Sequence, residues 1–398
     1  MTFSSPLFEW LVDGAPGAAG LTDVLARLGL DLNGEGAPVA RIAAFVRTLH
    51  PHLMGSRYTW RRGREGVEVS NASYATLRSP EFLGSPVARV YANAAGFRRR
   101  LDGSEPFDHA DFHSLRASGM TDYLVEPLHF LDGQIHAITF ATDAPEGFTA
   151  EQIGRIQQVA RPLARIVEIL ALRRTATDLL SAYVGRDAGE RILKGQIQRG
   201  DVEEIRCVVW FSDLRGFTRM SAQKEPPAII AILNRLFDCQ IPAVERAGGQ
   251  VLKFMGDGML AIFPIQNSEE ATAVAGRALA AANEAFSALD ETNQRSPEAP
   301  MAFGIALHVG EVAYGNIGGV GRLDFTCIGA AVNLAARIEG LTAPTGKRLL
   351  LSAALAELVP EQTRSVGSFV LKGVEGAAEV FEPGPPEGWG PGGIGSRR

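Results

Sequence analysis

The hydrophobic pattern changes period along the chain. DYLVEPLHFLDGQIHAITFAT, residues 122–142, alternates apolar and polar positions on either side of Asp132-Gly133. That alternation predicts two strands joined by a tight hairpin whose two turn residues both take positive φ. Beyond it, EQIGRIQQVARPLARIVEILALRR repeats its apolar residues at helical spacing. Thr149 stands three residues before Gln152, a capping-box pattern that predicts the helix start, and Pro162 predicts a kink inside it. The amphipathic pattern persists over 166–203 until Gly200-Asp201 interrupts it, which predicts a helical connector. Such a connector either pairs with its copy in a dimer or packs as a plain linker, and its heptads are too few to choose. From 204 to 384 apolar strand-like runs alternate with long helical ones, which calls for a layered fold of strands and helices. The Gly- and Pro-rich stretch 385–398 is expected to be a disordered tail.

A length of 398 residues suggests two domains, and 46% hydrophobic with 21% charged residues is the balance of a folded globular chain. A net charge of -6 gives no general attraction for nucleic acid or an anionic membrane, so bound phosphate has to be met by a local cluster. Cys207, Cys239 and Cys327 are scattered in apolar runs without C-x-x-C spacing, and the N-terminal residues lack the pattern of a signal peptide. No run reaches the roughly 18 apolar residues needed to span a bilayer, and a cytoplasmic protein without membrane contact is the resulting expectation.

Three segments carry candidate chemistry. CVVWFSDLRGFT (207–218) is a buried-type strand that delivers Asp213 where the strand stops. GGQVLKFMGDGMLAIF (248–263) is a pair of strands around a tight turn with Asp257 between Gly256 and Gly258. If the strands pair, the two carboxylates meet at one sheet edge and suit hard cations such as Mg²⁺ or Mn²⁺. DFTCIGAAVNLAARIEGL (324–341) ends a strand and starts a helix that sets Asn333 and Arg337 four residues apart on one face, an amide beside a planar cation. Taken singly these are equally a pair of turn aspartates and a surface helix pair.

In this order and spacing the segments resemble the catalytic domain of class III adenylyl and guanylyl cyclases over 204–384. The resemblance implies an α+β fold with a ferredoxin-like (βαββαβ) core, and two metal ions, Mg²⁺ or Mn²⁺, on Asp213 and Asp257. It assigns Asn333 to the ribose and Arg337 to the α-phosphate in the transition state. Base choice falls on Lys253, four residues before Asp257, and on Thr326, seven before Asn333. Lysine can only donate, which suits adenine N1 and argues for ATP, whereas guanylyl cyclases usually carry glutamate there. Lys372 and Arg322 resemble triphosphate contacts, and Ala330 stands where many members have aspartate. The family's sites are shared between protomers, so a homodimer is implied. A GTP-specific cyclase and a catalytically silent nucleotide-binding module are the alternatives; a diguanylate cyclase is disfavoured by the single carboxylate of MGDGM.

Residues 1–165 resemble an α+β sensory domain of the GAF type in layout, regulating the enzyme through a ligand or partner that the sequence does not identify. His109 and His113 would stand at i, i+4 if DHADFH were helical, a metal-binding spacing that polar surface helices also produce. The runs Arg61, Arg62, Arg64 and Arg98, Arg99, Arg100 are expected to lie on a solvated surface.

Overall fold

The computed structural model describes residues 5–103 and 108–384, so the expectation for 385–398 lies outside the described residues. The chain divides into two compact units, Met1–Leu179 and Leu180–Arg398.

The first unit is built on a six-stranded antiparallel sheet. Its strands are β1 (Arg41–Arg47), β2 (Leu53–Arg61), β3 (Val67–Ser73), β4 (Phe97–Arg100), β5 (Asp122–His129) and β6 (Ile135–Thr142), in the order β3-β2-β1-β6-β5-β4. Helix α1 (Leu21–Gly34) and the N-terminal part of a long helix, α3 (Ala150–Val184), cover one face. Leu25, Leu28, Ile156, Val159 and Leu163 pack there against Ile42, Trp60, Ile138 and Phe140. The β5–β6 hairpin forms where expected, but its turn differs. Gly133 alone takes positive φ, and the Gly133 and Phe130 N–H groups bond to the Phe130 and Gln134 carbonyls. Asp132 keeps ordinary backbone angles because its side chain accepts from the Gln134 N–H, a local turn of its own.

Both halves of the capping box at the start of α3 are made: Gln152 N–H donates to Thr149 Oγ1 and Thr149 N–H to Gln152 Oε1. Pro162 lies inside α3 without ending it. His109 is not on the helix with His113. It caps helix α2 (Ala110–Ala117), its Nδ1 accepting from the Asp111 N–H, while Nε2 pairs with the Glu81 carbonyl. Its two ring nitrogens are therefore occupied, and no group of three metal-ligating side chains gathers among the described residues. The arginine runs are paired rather than merely solvated: Arg61 with Glu68, Arg62 with Asp143, Arg98 with Asp122.

The helical pattern of 166–203 does not form one rod. Gly185, with φ +89°, breaks α3 from α4 (Arg186–Leu193), and turns follow to the next strand. The second unit holds β7 (Val202–Leu214), β8 (Gln250–Met255), β9 (Gly258–Ile265), β10 (Phe303–Gly319), β11 (Arg322–Ile328), β12 (Leu349–Ser352), β13 (Thr363–Val370) and β14 (Ala377–Pro383). Their order is β13-β14-β12-β10-β7-β9-β8, with β11 hairpinned to β10. Helices α5 (Pro226–Arg246) and α6 (Ala271–Arg295) cover one face, with Leu236, Ala243, Ala278 and Leu289 against Val208, Trp210, Phe263 and Phe303. Helix α7 (Ala330–Glu339) covers the other, with Ala331 and Ala335 against Val209, Ile262 and Val312. By length and composition α5 is apolar enough to cross a membrane, contrary to the expectation that no segment would be. Its apolar residues are explained by the core they fill, since Ile232, Leu236, Cys239, Ala243 and Val244 are buried there.

Candidate active site

Strand β7 is apolar because both faces of its middle are covered, and Asp213 comes where that cover ends. The β8–β9 turn closes on Gly256 and Asp257, since Met255 pairs with Gly258. Only Gly256 takes positive φ (+68°), the first central position of a type II′ turn, which leaves Asp257 in ordinary geometry. Gly258 has to be small: a β-carbon there would stand 2.9 Å from the Ser212 carbonyl and 3.2 Å from Asp213 Oδ1. This close approach brings the two aspartates together. Burial first, and then the Asp257 charge, push the Asp213 carboxyl up to about 6; burial raises Asp257 as well. The two carboxyls are close enough to share a hydrogen bond.

A third carboxyl, absent from the sequence reading, stands beside them. Asp213 is paired across the β7–β10 ladder with Gly304, so their side-chain positions share one face. A β-carbon on Gly304 would collide with the Thr342 hydroxyl and lie 2.7 Å from Glu339 Oε1, so Glu339 fills the place of the missing side chain. Thr342 Oγ1 donates to Glu339 Oε1 at 3.1 Å. Burial, followed by the charge of Asp213, pushes Glu339 up to about 7. Two carboxyls brought together and both resisting ionisation mark a place where a cation would be bound favourably, and this is how Asp213 and Asp257 fit a divalent metal, as a pair and not as a group of three. Asp213 and Asp257 supply hard oxygen donors, with Glu339 behind them.

The remaining candidates lie in other places. Asn333 and Arg337 are exposed on the outer side of α7, whose inner side buries Ala331, Ala335 and Ile338. Lys253 on β8 pairs with Asp324 on β11, Nζ to Oδ2 3.5 Å, a partner that the sequence reading did not include. Thr326, two residues beyond Asp324, is 3% exposed, and its hydroxyl oxygen has no hydrogen-bond partner among the described residues. An orphaned buried hydroxyl is costly unless something completes it, which fits a ligand-reading position. Arg322 and Lys372 are exposed, the first at the start of β11 and the second just after β13. Among the described residues no ion pair or hydrogen bond joins the carboxyl cluster to the Lys253 group.

Residues 201–380 match the adenylate and guanylate cyclase catalytic domain. An adenylate cyclase of Anabaena cylindrica is 34% identical over 198 residues, covering 47% of this chain and 38% of its own length. The chain likewise spans 42% of the next curated relatives, uncharacterised proteins of Mycobacterium bovis and Mycobacterium tuberculosis. Among solved structures, the guanylyl cyclase Cya2 is 31% identical, with 47% of this chain and 96% of that one covered and a TM-score of 0.42. The adenylyl cyclase CyaB from P. aeruginosa is 24% identical, covering 46% and 96%, with a TM-score of 0.41. The sequence match carries the assignment, and it falls on the unit that holds the carboxyl cluster, Lys253, Asn333 and Arg337: the chain carries, over residues 201–380, a catalytic domain of the class III adenylate and guanylate cyclase family.

Proposed function

We propose that the chain is an adenylate cyclase that converts ATP to 3',5'-cyclic AMP and pyrophosphate, in a site completed by a second copy. The observation that carries this reading is the Asp213–Asp257 pair, two carboxyls held together at a strand end with their charge uncompensated. Divalent cations, Mg²⁺ or Mn²⁺, bound there would make the ribose 3'-hydroxyl acidic and offset the charge of the triphosphate. The 3'-oxygen attacks the α-phosphorus, the bond to the pyrophosphate oxygen breaks, and the hydroxyl proton leaves to solvent. Asn333 orients the ribose, and Arg337 holds the negative charge that develops on the α-phosphate. Lys253 donates to adenine N1, and the Thr326 hydroxyl accepts from the 6-amino group. Arg322 and Lys372 meet the triphosphate. The Anabaena cylindrica relative is an adenylate cyclase, which agrees with this choice of base.

A homodimer is supported by two features. Asn333 and Arg337 point away from their own core, and β8 and β11, which lie against each other, expose Phe254, Met255, Leu323 and Ile328. Exposed large apolar side chains on neighbouring strands suit contact with a second copy. The element order β7-α5-β8-β9-α6-β10 with strand order β10-β7-β9-β8 supports the ferredoxin-like reading. The first unit is read as a GAF-like sensory domain, 1–165, joined through a connector over 166–203 to the catalytic domain, 204–384. Three buried free cysteines suit a cytoplasmic setting.

Purified protein incubated with ATP or GTP and Mg²⁺ or Mn²⁺ tests the reading. Cyclic AMP formed by the wild type and lost in Asp257→Ala is the expected result. Cyclic GMP as the main product overturns the roles of Lys253 and Thr326, and no product from either nucleotide overturns the enzyme.

A further inference from the structure

A cavity of about 410 Å³ opens in the first unit, within the size range of small-molecule sites. It lies on the face of the sheet opposite α1 and α3, and strand register explains its hollow floor. Phe45, Arg57 and Ser70 stand in one row across β1, β2 and β3, and Arg47, Gly55 and Ala72 in the next row on the same face. Gly55 and Ala72 are too small to fill their places, so room is left between the two arginines and the wall above them. That wall, formed by residues 79–87, Tyr91 and the start of α2, is apolar at Phe82, Val87 and Tyr91.

Charges of opposite sign stand on opposite sides of this cavity. The sheet side carries Arg47, its guanidinium 5.6 Å from the centroid of the Tyr91 ring, and Arg57, whose Nε donates to Ser70 Oγ at 3.2 Å. Neither arginine has an ion-pair partner among the described residues. The helix side carries Asp111 and Glu81. Asp111 lies near enough to Arg41 for their charges to interact. Glu81 has no ion-pair partner among the described residues, since His109 Nε2 engages its backbone carbonyl and not its carboxylate. A simple anion would be drawn to the arginines and repelled by Glu81, and a simple cation would meet the reverse. A ligand that bears both charges meets each with its opposite.

We propose that this cavity binds a small zwitterion with an apolar body, of the class of the apolar α-amino acids. Its carboxylate sits on Arg57 and Arg47, its ammonium on Glu81, and its side chain against Phe45, Met54 and Phe82. Arg57 keeps two nitrogens after its bond to Ser70, enough for both oxygens of a carboxylate. Arg47 is held over an aromatic face, which fixes its charge beside the first. Every contact belongs to the first unit, so the proposal stands apart from the choice of nucleotide in the second.

Calorimetry on the full chain tests it with L-leucine, L-methionine and L-phenylalanine, and with the N-acetyl form of each, which keeps only the carboxylate, and the amide of each, which keeps only the ammonium. At least one of the three amino acids is expected to bind, about tenfold more tightly than either of its derivatives, as loss of a charge-assisted contact implies. Arg57→Ala should weaken that amino acid about tenfold and leave its amide unchanged, whereas Glu81→Gln should weaken it and leave the N-acetyl form unchanged. Both positions are exposed, so the variants should melt as the wild type does. No binding of any of the three amino acids overturns the proposal. So does an N-acetyl form that binds as tightly as its parent, the mark of a site for plain anions, or an affinity that neither substitution alters, which puts the ligand elsewhere.

Discussion

Each unit withdraws carboxylates from water, fully for Asp122 in the first and by half for Asp213, Asp257 and Glu339 in the second, and their surroundings are opposite. In the first unit Asp122 is fully buried and fully answered. Arg98 donates to it through Nε at 2.9 Å and Nη2 at 2.6 Å, and the Phe148 and Tyr123 N–H groups donate at 2.9 and 3.0 Å. In the second unit Asp213 and Asp257 share a hydrogen bond, Glu339 lies near enough for their charges to act on it, and all three carboxyls are held above their ordinary range. A buried charge with its own donors ties a fold together, whereas clustered carboxyls without a cation are held in place by a fold that would be more stable without them. The first arrangement ties the fold together, and the second is the one expected of the proposed metal site.

Substitution should separate the two kinds. Asp257→Ala is expected to lower cyclic nucleotide formation by on the order of 100- to 1000-fold, as loss of a preorganised electrostatic group does, with no loss in melting temperature. A melting point several degrees lower would place Asp257 with Asp122 and erase the contrast. Asp122→Ala should cost about 3 kcal/mol in denaturant unfolding of the first unit, because it strands the Arg98 guanidinium and two backbone donors. Cyclic nucleotide formation by the protein that remains folded should stay near wild type. Unchanged stability would show that Asp122 is dispensable.

The smallest effect is in pH. Glu339 has a folded value of about 7, above the ordinary carboxyl range, so the folded state holds its proton more tightly than the unfolded chain. Its contribution is fully present below about pH 4.5 and is lost as pH rises through about 7. Without divalent cation, the second unit should therefore lose on the order of 1 kcal/mol between those limits, with Glu339→Gln flattening the slope and Mg²⁺ opposing it. His136 in the first unit works in the other direction. Burial, and then Arg47, hold it down to about 4, so its contribution is present above pH 6.5 and lost as pH falls through 4. Melting curves across pH 4–8, with and without Mg²⁺, check both signs. A slope that Glu339→Gln leaves untouched would remove Glu339 from the cluster.

Much of the candidate site was legible before any fold was known. Asp257 was marked by the glycines around it, Asp213 by the apolar run that ends on it, and Asn333 with Arg337 by helical spacing. The start of α3 was equally plain, since Thr149 and Gln152 are three residues apart and satisfy each other. Glu339 gave no such signal, because it enters the cluster only through the pairing of Gly304 with Asp213, some ninety positions apart. One clue was present: a glycine inside an apolar strand often marks a close approach, and Gly304 is such a residue. Asp324 was hidden for the same reason as Glu339, its partner Lys253 lying on a strand with which β11 does not pair. His109 shows the reverse limit of local spacing: four residues before His113, it caps the helix instead of sharing its face.

The sequence by itself determined where helices begin, which strands are buried, and which residue types stand in the order of a cyclase domain, because those signals come from neighbours a few positions apart. Only the tertiary structure decided which charges share a surroundings: that Asp122 has donors, that Asp213, Asp257 and Glu339 have each other, and that Lys253 has Asp324. Electrostatic energy depends on distance and burial, and both are set by sheet register across long stretches of chain.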